Sequence, residues 1–225
     1  DTFRAFEERT GKRVLERYGM TETGMLTSNP YDGKRLAGAV GPALPDVRLR
    51  VADAETGRVL AEGETGLVEV KGPNIFKGYW RNPEKTRSEF RADGYFITGD
   101  MGFIDPQGYV HLVGRAKDLI ITGGLNVYPA EVENAVFGHA AVADVAVIGV
   151  PDEKWGEAVK AIVVLKPGTT ASAEEIIAWT RSRIAGYKLP KSVDFIEALP
   201  RNPSGKILRR ELREPYWAGK TRRVN

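Results

Sequence analysis

Five short segments carry more glycine, hydroxyl and charge than a fold alone requires, and the candidate chemistry lies in them. In Tyr18-Gly19-Met20-Thr21-Glu22-Thr23-Gly24, glycines at both ends let backbone approach a ligand closely. Between them stand hydroxyls suited to phosphate oxygens, a Glu22 carboxylate suited to a hard cation, and an aromatic face. In residues 95–102 (YFITGDMG), Asp100 sits at a strand end beside glycine, where one carboxylate can accept both hydroxyls of a ribose. Gly114-Arg115-Ala116-Lys117-Asp118 is a charged, flexible junction of the kind used as a hinge. Residues 122–131 (TGGLNVYPAE) contain Gly123 and Gly124, whose missing side chains would let a thin ligand pass. Residues 200–207 (PRNPSGKI) present Lys206 on a Pro/Ser/Gly loop, a device for aiming a cation at developing negative charge. Each segment, taken alone, also reads as something plain: an exposed turn, an Asp closing a turn, a linker, a hairpin, a surface lysine.

Composition narrows the setting. A chain of 225 residues fits one large domain or two modest ones. With 42% apolar and 28% charged residues, it does not read as collagen-like, disordered or membrane-embedded. No apolar run approaches the roughly 18 residues of a spanning helix, and residues 1–20 lack a signal-peptide core. Cysteine is absent, which excludes disulfides, thiolate metal sites and cysteine nucleophiles. With only His111 and His139, an imidazole-rich metal centre is not expected, and a cytoplasmic enzyme is. Residues 1–116 carry 17 basic and 17 acidic side chains, whereas the stretch from Arg181 onward carries 12 and 4, so the basic character belongs to the C-terminal end. That excess reads as a solvated surface or as a docking face for a polyanion such as a nucleotide or coenzyme. It lacks the interleaved aromatics of a nucleic-acid stacking platform, so nucleic acid is not an expected partner.

The elements that must position these residues can be read in outline. Phe3, Phe6, Val14 and Leu15 suggest an amphipathic helix over residues 1–18. Val47, Leu49 and Val51 alternate with Arg48 and Arg50, as in a half-buried strand, and Val68 and Val70 alternate with Glu69 and Lys71. Asn82-Pro83-Glu84 opens a helix, and Asp105-Pro106-Gln107-Gly108 turns a hairpin between residues 101–104 and 109–113. After Gly114, short apolar runs flank Gly123 and Gly124, and Pro129 opens a helix with Val132, Ala135 and Val136 on one face. Residues 142–150, 161–165 and 193–196 read as strands. Ser172 and Glu175 form a capping box for a helix carrying Ile176, Ile177 and Ile184. Two domains are expected: residues 1–115, rich in strand, and residues 116–225, a compact α+β domain of ordinary size.

Together, in this order and spacing, the five segments resemble the adenylate-forming superfamily: acyl-CoA synthetases, peptide-synthetase adenylation domains and luciferase-like enzymes. Residues 18–45 and 71–81 look most like malonyl-CoA or methylmalonyl-CoA synthetases. The resemblance implies an α+β fold in which a small distorted β-barrel subdomain, the end of a large N-terminal domain, precedes a mobile α+β C-terminal domain. It implies ATP-dependent activation of a small carboxylate as an acyl-adenylate, then transfer to coenzyme A. Tyr18 would pack on adenine, Thr21 would contact the α-phosphate, and Glu22 would help hold Mg2+. Asp100, assisted by Arg115, would bind the ribose hydroxyls, and Lys206 would bridge the attacking carboxylate and the nucleotide. Lys117 would be the hinge, and Gly123 and Gly124 would line the pantetheine tunnel. Separately, the basic excess from Arg181 onward, with Lys188 and Lys191 displayed beside Pro190, leads to the expectation that these two lysines face the coenzyme A phosphates. The family's phosphate loop and most of its acyl pocket are expected upstream, so the chain reads as a fragment, inactive without the missing N-terminal part. A fatty or aryl acid ligase, a peptide-synthetase domain and a non-catalytic folded piece are the alternatives.

Overall fold

The opening helix is shorter than its apolar spacing suggests. In the computed structural model, which describes residues 2–219, α1 (Thr2–Thr10) stops at Gly11. That glycine takes a φ of +65° while its N–H donates to the Glu7 carbonyl at 2.8 Å, the left-handed exit that glycine makes cheap. The helix expected to reach residue 18 is therefore corrected, and Tyr18 lies on a strand, β1 (Arg17–Met20). The chain divides into two units, Asp1–Ala116 and Lys117–Asn225.

In the first unit β1 forms an antiparallel hairpin with β2 (Gly24–Ser28). A second, four-stranded sheet runs β3 (Arg48–Ala52), β4 (Gly66–Lys71), β5 (Phe96–Ile104), β6 (Val110–Arg115), each strand antiparallel to its neighbour. This meander leaves β3 and β6 at its edges, so among the described residues the expected barrel is an open sheet. Tyr18, Leu26, Val68, Val70 and Phe96 form its core. Against the alternation of β4, Glu69 is fully buried. Its carboxylate meets Arg50, its register partner on β3, at 2.8 Å and Arg91 at 2.7 Å, which is how a charge survives inside a sheet. A short helix, α2 (Pro83–Ser88), starts as its sequence dictates, with the Asn82 side chain accepting from Lys85 N–H at 3.1 Å.

The second unit holds β7 (Ile120–Thr122), β8 (Leu125–Val127), α3 (Pro129–Phe137), β9 (Val142–Asp152), β10 (Gly156–Leu165), α4 (Ala173–Arg181), β11 (Ser192–Phe195) and α5 (Arg209–Trp217). Its sheet is ordered β11-β10-β7-β8, with β9 antiparallel to β10. Val132 and Val136 of α3 and Ile176 of α4 pack with Val147, Val159 and Val163. A separate cluster joins Leu212 and Tyr216 of α5 to Ala146, Ile148 and Ile162, so the β9–β10 ribbon carries helices on both faces. The capping box forms: Glu175 N–H donates to Ser172 Oγ at 3.2 Å, and Ser172 N–H to the Glu175 carboxylate at 2.7 Å. Ile184 lies beyond α4 but still joins its core. Helix α5, mostly charged and with Pro215 inside it, has no counterpart in the sequence reading. Among the described residues no helix is long and apolar enough to cross a membrane.

Glu69→Gln tests the buried triad. The variant leaves Arg91 without its carboxylate, whereas Arg50 keeps Asp93 at 2.6 Å and both guanidiniums retain some solvent, so the cost should be about 1–3 kcal/mol. The urea midpoint of the first unit should fall accordingly, and a loss below ~1 kcal/mol would mean that the arginines, not the carboxylate, are supported by the packing.

Candidate functional site

Asp100 sits on β5 with 5% of its surface exposed, and two strands converge on its carboxylate. Arg115 on β6 is its register partner, and the Arg115 Nε lies 2.7 Å from Oδ1. The Tyr18 hydroxyl, brought in by β1, donates to the other oxygen. The Asp100 N–H donates to Thr98 Oγ1 at 3.1 Å, which fixes the backbone beneath. Burial above all, then the adjacent Asp100 charge and hydrogen bond, push the Tyr18 phenol well above its usual value. At neutral pH it is therefore a hydrogen-bond donor to Asp100. The Tyr18 ring is 8% exposed and packs among Leu26, Val68, Val70 and Phe96, so little of its face is open to a stacked base.

Thr21 and Glu22 occupy the tight turn joining β1 to β2, with Thr21 exposed and Glu22 half-buried. The segment of residues 72–80 clasps this turn. Phe76 N–H donates to the Glu22 carbonyl at 2.8 Å, and Asn74 Nδ2 to the Thr23 carbonyl at 2.8 Å. The Tyr79 hydroxyl stands 2.6 Å from Glu89 and 3.2 Å from Glu22 Oε1, so its one proton goes first to Glu89. Burial, then those two carboxylates, raise the Tyr79 phenol strongly.

The second unit carries the other candidates. Gly123 and Gly124, at φ of +57° and +80°, make the β7–β8 turn, the pattern of a two-residue hairpin with both residues left-handed. Trp155 roofs it: its carbonyl accepts from Gly123 N–H at 2.8 Å, and a Cβ on Gly123 would lie 2.6 Å from its ring. Lys206 rides a loop wired by one side chain. Asn202 Oδ1 accepts from the N–H groups of Ser204 and Lys206 at 3.1 and 2.8 Å and from the Ser204 hydroxyl at 2.8 Å. Arg201 spans from the Gly205 carbonyl to Asp144, each at 2.6 Å. Lys206 itself is exposed. Lys188 is turned inward, its ammonium 2.7 Å from both Glu131 oxygens; desolvation lowers its pKa, but the Glu131 bonds and charge outweigh that and raise it overall. Lys191 is exposed, and the basic stretch from Lys220 on lies outside the described residues. Lys117 is exposed, in a 3-10 turn spanning Ala116–Asp118.

The fold thus brings Tyr18, Asp100 and Arg115 together, and holds Thr21 and Glu22 in one turn. Sequence reasoning missed Tyr79, Glu89, Trp155 and Asn202. Only Asn202 left a usable signal, an Asn followed by Ser and Gly in a turn. Among the described residues no group of three or more His, Asp or Glu side chains could hold a metal ion alone.

The sequence profile of AMP-binding enzymes matches residues 1–80, and that of the AMP-binding enzyme C-terminal domain matches residues 131–206. A long-chain-fatty-acid–CoA ligase of Bacillus subtilis is 46% identical over 210 residues, covering 93% of this chain and 37% of the relative. A feruloyl-CoA synthase of Amycolatopsis is 44% identical, covering 92% and 42%. ATP-bound MatB from Rhodopseudomonas palustris superposes with a TM-score of 0.92 at 56% identity, covering 96% of this chain and 43% of that one. Its apo form gives 0.71 over the same share, so the two forms of that protein differ over this span. The chain spans about two fifths of the length of the proteins it matches.

The raised Tyr18 phenol has a signed consequence. Below the unfolded value of 10.0 folded and unfolded chains both keep the proton, and stability does not change with pH on its account. Above it the unfolded chain sheds the proton while the fold retains it, so stability declines as pH rises toward the folded value. Tyr18→Phe should flatten this alkaline decline and remove one late phenol from a 295 nm titration; an unchanged titration would place the late phenols elsewhere.

Proposed function

The chain belongs to the AMP-binding enzymes, an adenylate-forming acyl-CoA ligase family, and on that premise we propose that it supplies the ribose grip and the mobile lysine of an enzyme activating malonate or methylmalonate. One observation carries the reading: a buried carboxylate, Asp100, held on one oxygen by Tyr18 and on the other by Arg115. A carboxylate so held faces a sugar diol already oriented, so less ordering remains to be done on binding. Tyr18 serves this grip through its hydroxyl, and any adenine contact is confined to the small part of its ring left exposed.

In the first half-reaction a carboxylate oxygen of the acid attacks the α-phosphorus of ATP. The bond from that phosphorus to the bridging oxygen breaks, and pyrophosphate leaves. Lys206, a point charge on a loop stiffened by Asn202 and Arg201, offsets repulsion between the two anions and the charge that develops between them. Thr21 offers a hydroxyl to the α-phosphate. Glu22 suits Mg2+, a hard cation that is commonly bound by one or two carboxylates together with substrate phosphates; its carboxylate lies beside an exposed turn, and the ion when bound would neutralise phosphate charge. In the second half-reaction the coenzyme A thiolate attacks the acyl carbon and AMP departs. Gly123 and Gly124, bare of side chains beneath Trp155, suit the passage of pantetheine. Lys191 is the better placed of the two lysines for the coenzyme phosphates, because Lys188 is engaged by Glu131. Lys117 marks the junction about which the second unit would turn between steps. The 0.92 against 0.71 fit to the two forms of MatB supports a span that changes arrangement in that relative.

The acyl preference rests on the segments of residues 18–45 and 71–81, and on the identity to MatB, 56%, exceeding that to the fatty-acid and feruloyl relatives, 46% and 44%. The test is acid-dependent exchange of labelled pyrophosphate into ATP, on an enzyme of the relatives' full length carrying this chain, with malonate, methylmalonate, palmitate and ferulate. Exchange should be fastest with malonate or methylmalonate; palmitate or ferulate in first place would reassign the substrate. Lys206→Ala should slow adenylate formation ~10²–10³-fold, as loss of one such donor does, and leave thioester formation from supplied acyl-adenylate nearly intact. Equal losses in both steps would remove Lys206 from its role.

A further inference from the structure

Helix α5 is fixed to the sheet of the second unit from two directions. Leu212 and Tyr216 pack with Ala146, Ile148 and Ile162, and the Trp217 indole N–H donates to the Gly149 carbonyl at 2.9 Å. From this anchored helix Arg213 reaches back to the first residues of the unit. One guanidinium nitrogen donates to the Lys117 carbonyl at 3.2 Å, and the other to Asp118 Oδ1 at 3.1 Å. The two side chains are 18% and 11% exposed, withdrawn enough for the pair to escape most screening by salt. On the near side of the junction Arg115 ends β6, in register with Asp100 and ion-paired to it. Ala116 therefore stands between two anchored neighbours.

We infer that Arg213 is the positioning residue of the hinge. It fastens residues 117–118 to α5 and so confines the pivot to Ala116 and the backbone torsions that adjoin it. This rests on the reading that the second unit turns between the two half-reactions, and it narrows where the turning occurs. Lys117 contributes its own φ and ψ, but its carbonyl travels with α5. Without the guanidinium, Asp118 loses this tie to α5 and the pivot lengthens past Lys117. Each residue released adds its own range of φ and ψ, so a longer pivot spreads the unit over more orientations and leaves fewer molecules in any one of them.

This chain has no cysteine, so within it two introduced cysteines are the sole labelling sites. Spin labels at Gln107→Cys, in the exposed β5–β6 turn, and Thr170→Cys, in the exposed loop before α4, report one unit against the other by double electron–electron resonance. Arg213→Ala should widen the distance distribution at least roughly 1.5-fold, because freed residues multiply the accessible conformers. Arg213→Lys keeps one charged donor and should fall between. Asp118→Asn weakens the same pair from its other end and should also widen the distribution; it carries the test if Arg213→Ala does not fold, as judged by circular dichroism. Unchanged widths in the folded variants overturn the inference. Rates of adenylate and thioester formation in the full-length enzyme then separate the two claims. A widened distribution with both rates unaltered leaves the Arg213 anchor standing and overturns the reading that turning serves catalysis.

Discussion

A carboxylate almost wholly withdrawn from water keeps its charge only where the protein supplies what water would have given. At Asp100 the supply comes from three strands. β5 bears the residue, β6 brings Arg115 opposite it, and β1 carries the Tyr18 hydroxyl. A slip of one residue between β5 and β6 would send Arg115 to the other face, and a helix continuing through residue 18 would carry the phenol away. The arrest of α1 at Gly11 and the buried packing of the Tyr18 ring thus serve one charge. Hydrogen bonds to charged groups are worth about 1.5–3 kcal/mol, enough to make this cluster a structural requirement of the first unit whatever it binds.

The second unit is built on the opposite principle. Its key cation, Lys206, is exposed, and the loop beneath it is rigid instead. Asn202 closes the loop with one oxygen, and Arg201 ties it to Asp144 at the start of β9. A long side chain can then sweep water while its root stays fixed. Gly123 follows a similar logic, since the Trp155 ring occupies the space a Cβ would need. An anion held still in one unit and a cation on a stiff loop in the other are the two features on which the proposed reaction relies.

Local chemistry was legible in the sequence wherever a few neighbouring residues decide the outcome. The Asn82 cap, the Ser172–Glu175 capping box, the Asp105–Gly108 turn and the paired glycines of the β7–β8 hairpin all act within about four residues, and each formed as read. What failed depends on partners distant along the chain. Glu69 looked like a solvent-facing residue because its arginines come from positions 50 and 91. Tyr79 gave no sign of reaching Glu22 and Glu89. Helix α5 was hidden by Pro215 and by its charge, since only packing against β9 and β10 makes its few apolar residues sufficient. The α+β class survived because strand periodicity and helix caps are local; the open sheet did not announce itself, because closure depends on whether strands distant in the chain, here β3 and β6, pair.

In the proposed function Asp100, steadied by Tyr18 and Arg115, recognises the ribose of the nucleotide. The most direct measurement is equilibrium binding of AMP and of 3′-deoxy-AMP to the full-length enzyme carrying this chain and to its Asp100→Asn variant. A hydroxyl accepted by a fixed carboxylate should favour AMP by about tenfold, ~1.4 kcal/mol, and the variant should bind the two nucleotides nearly alike. A preference for AMP that persists undiminished in Asp100→Asn would contradict the account.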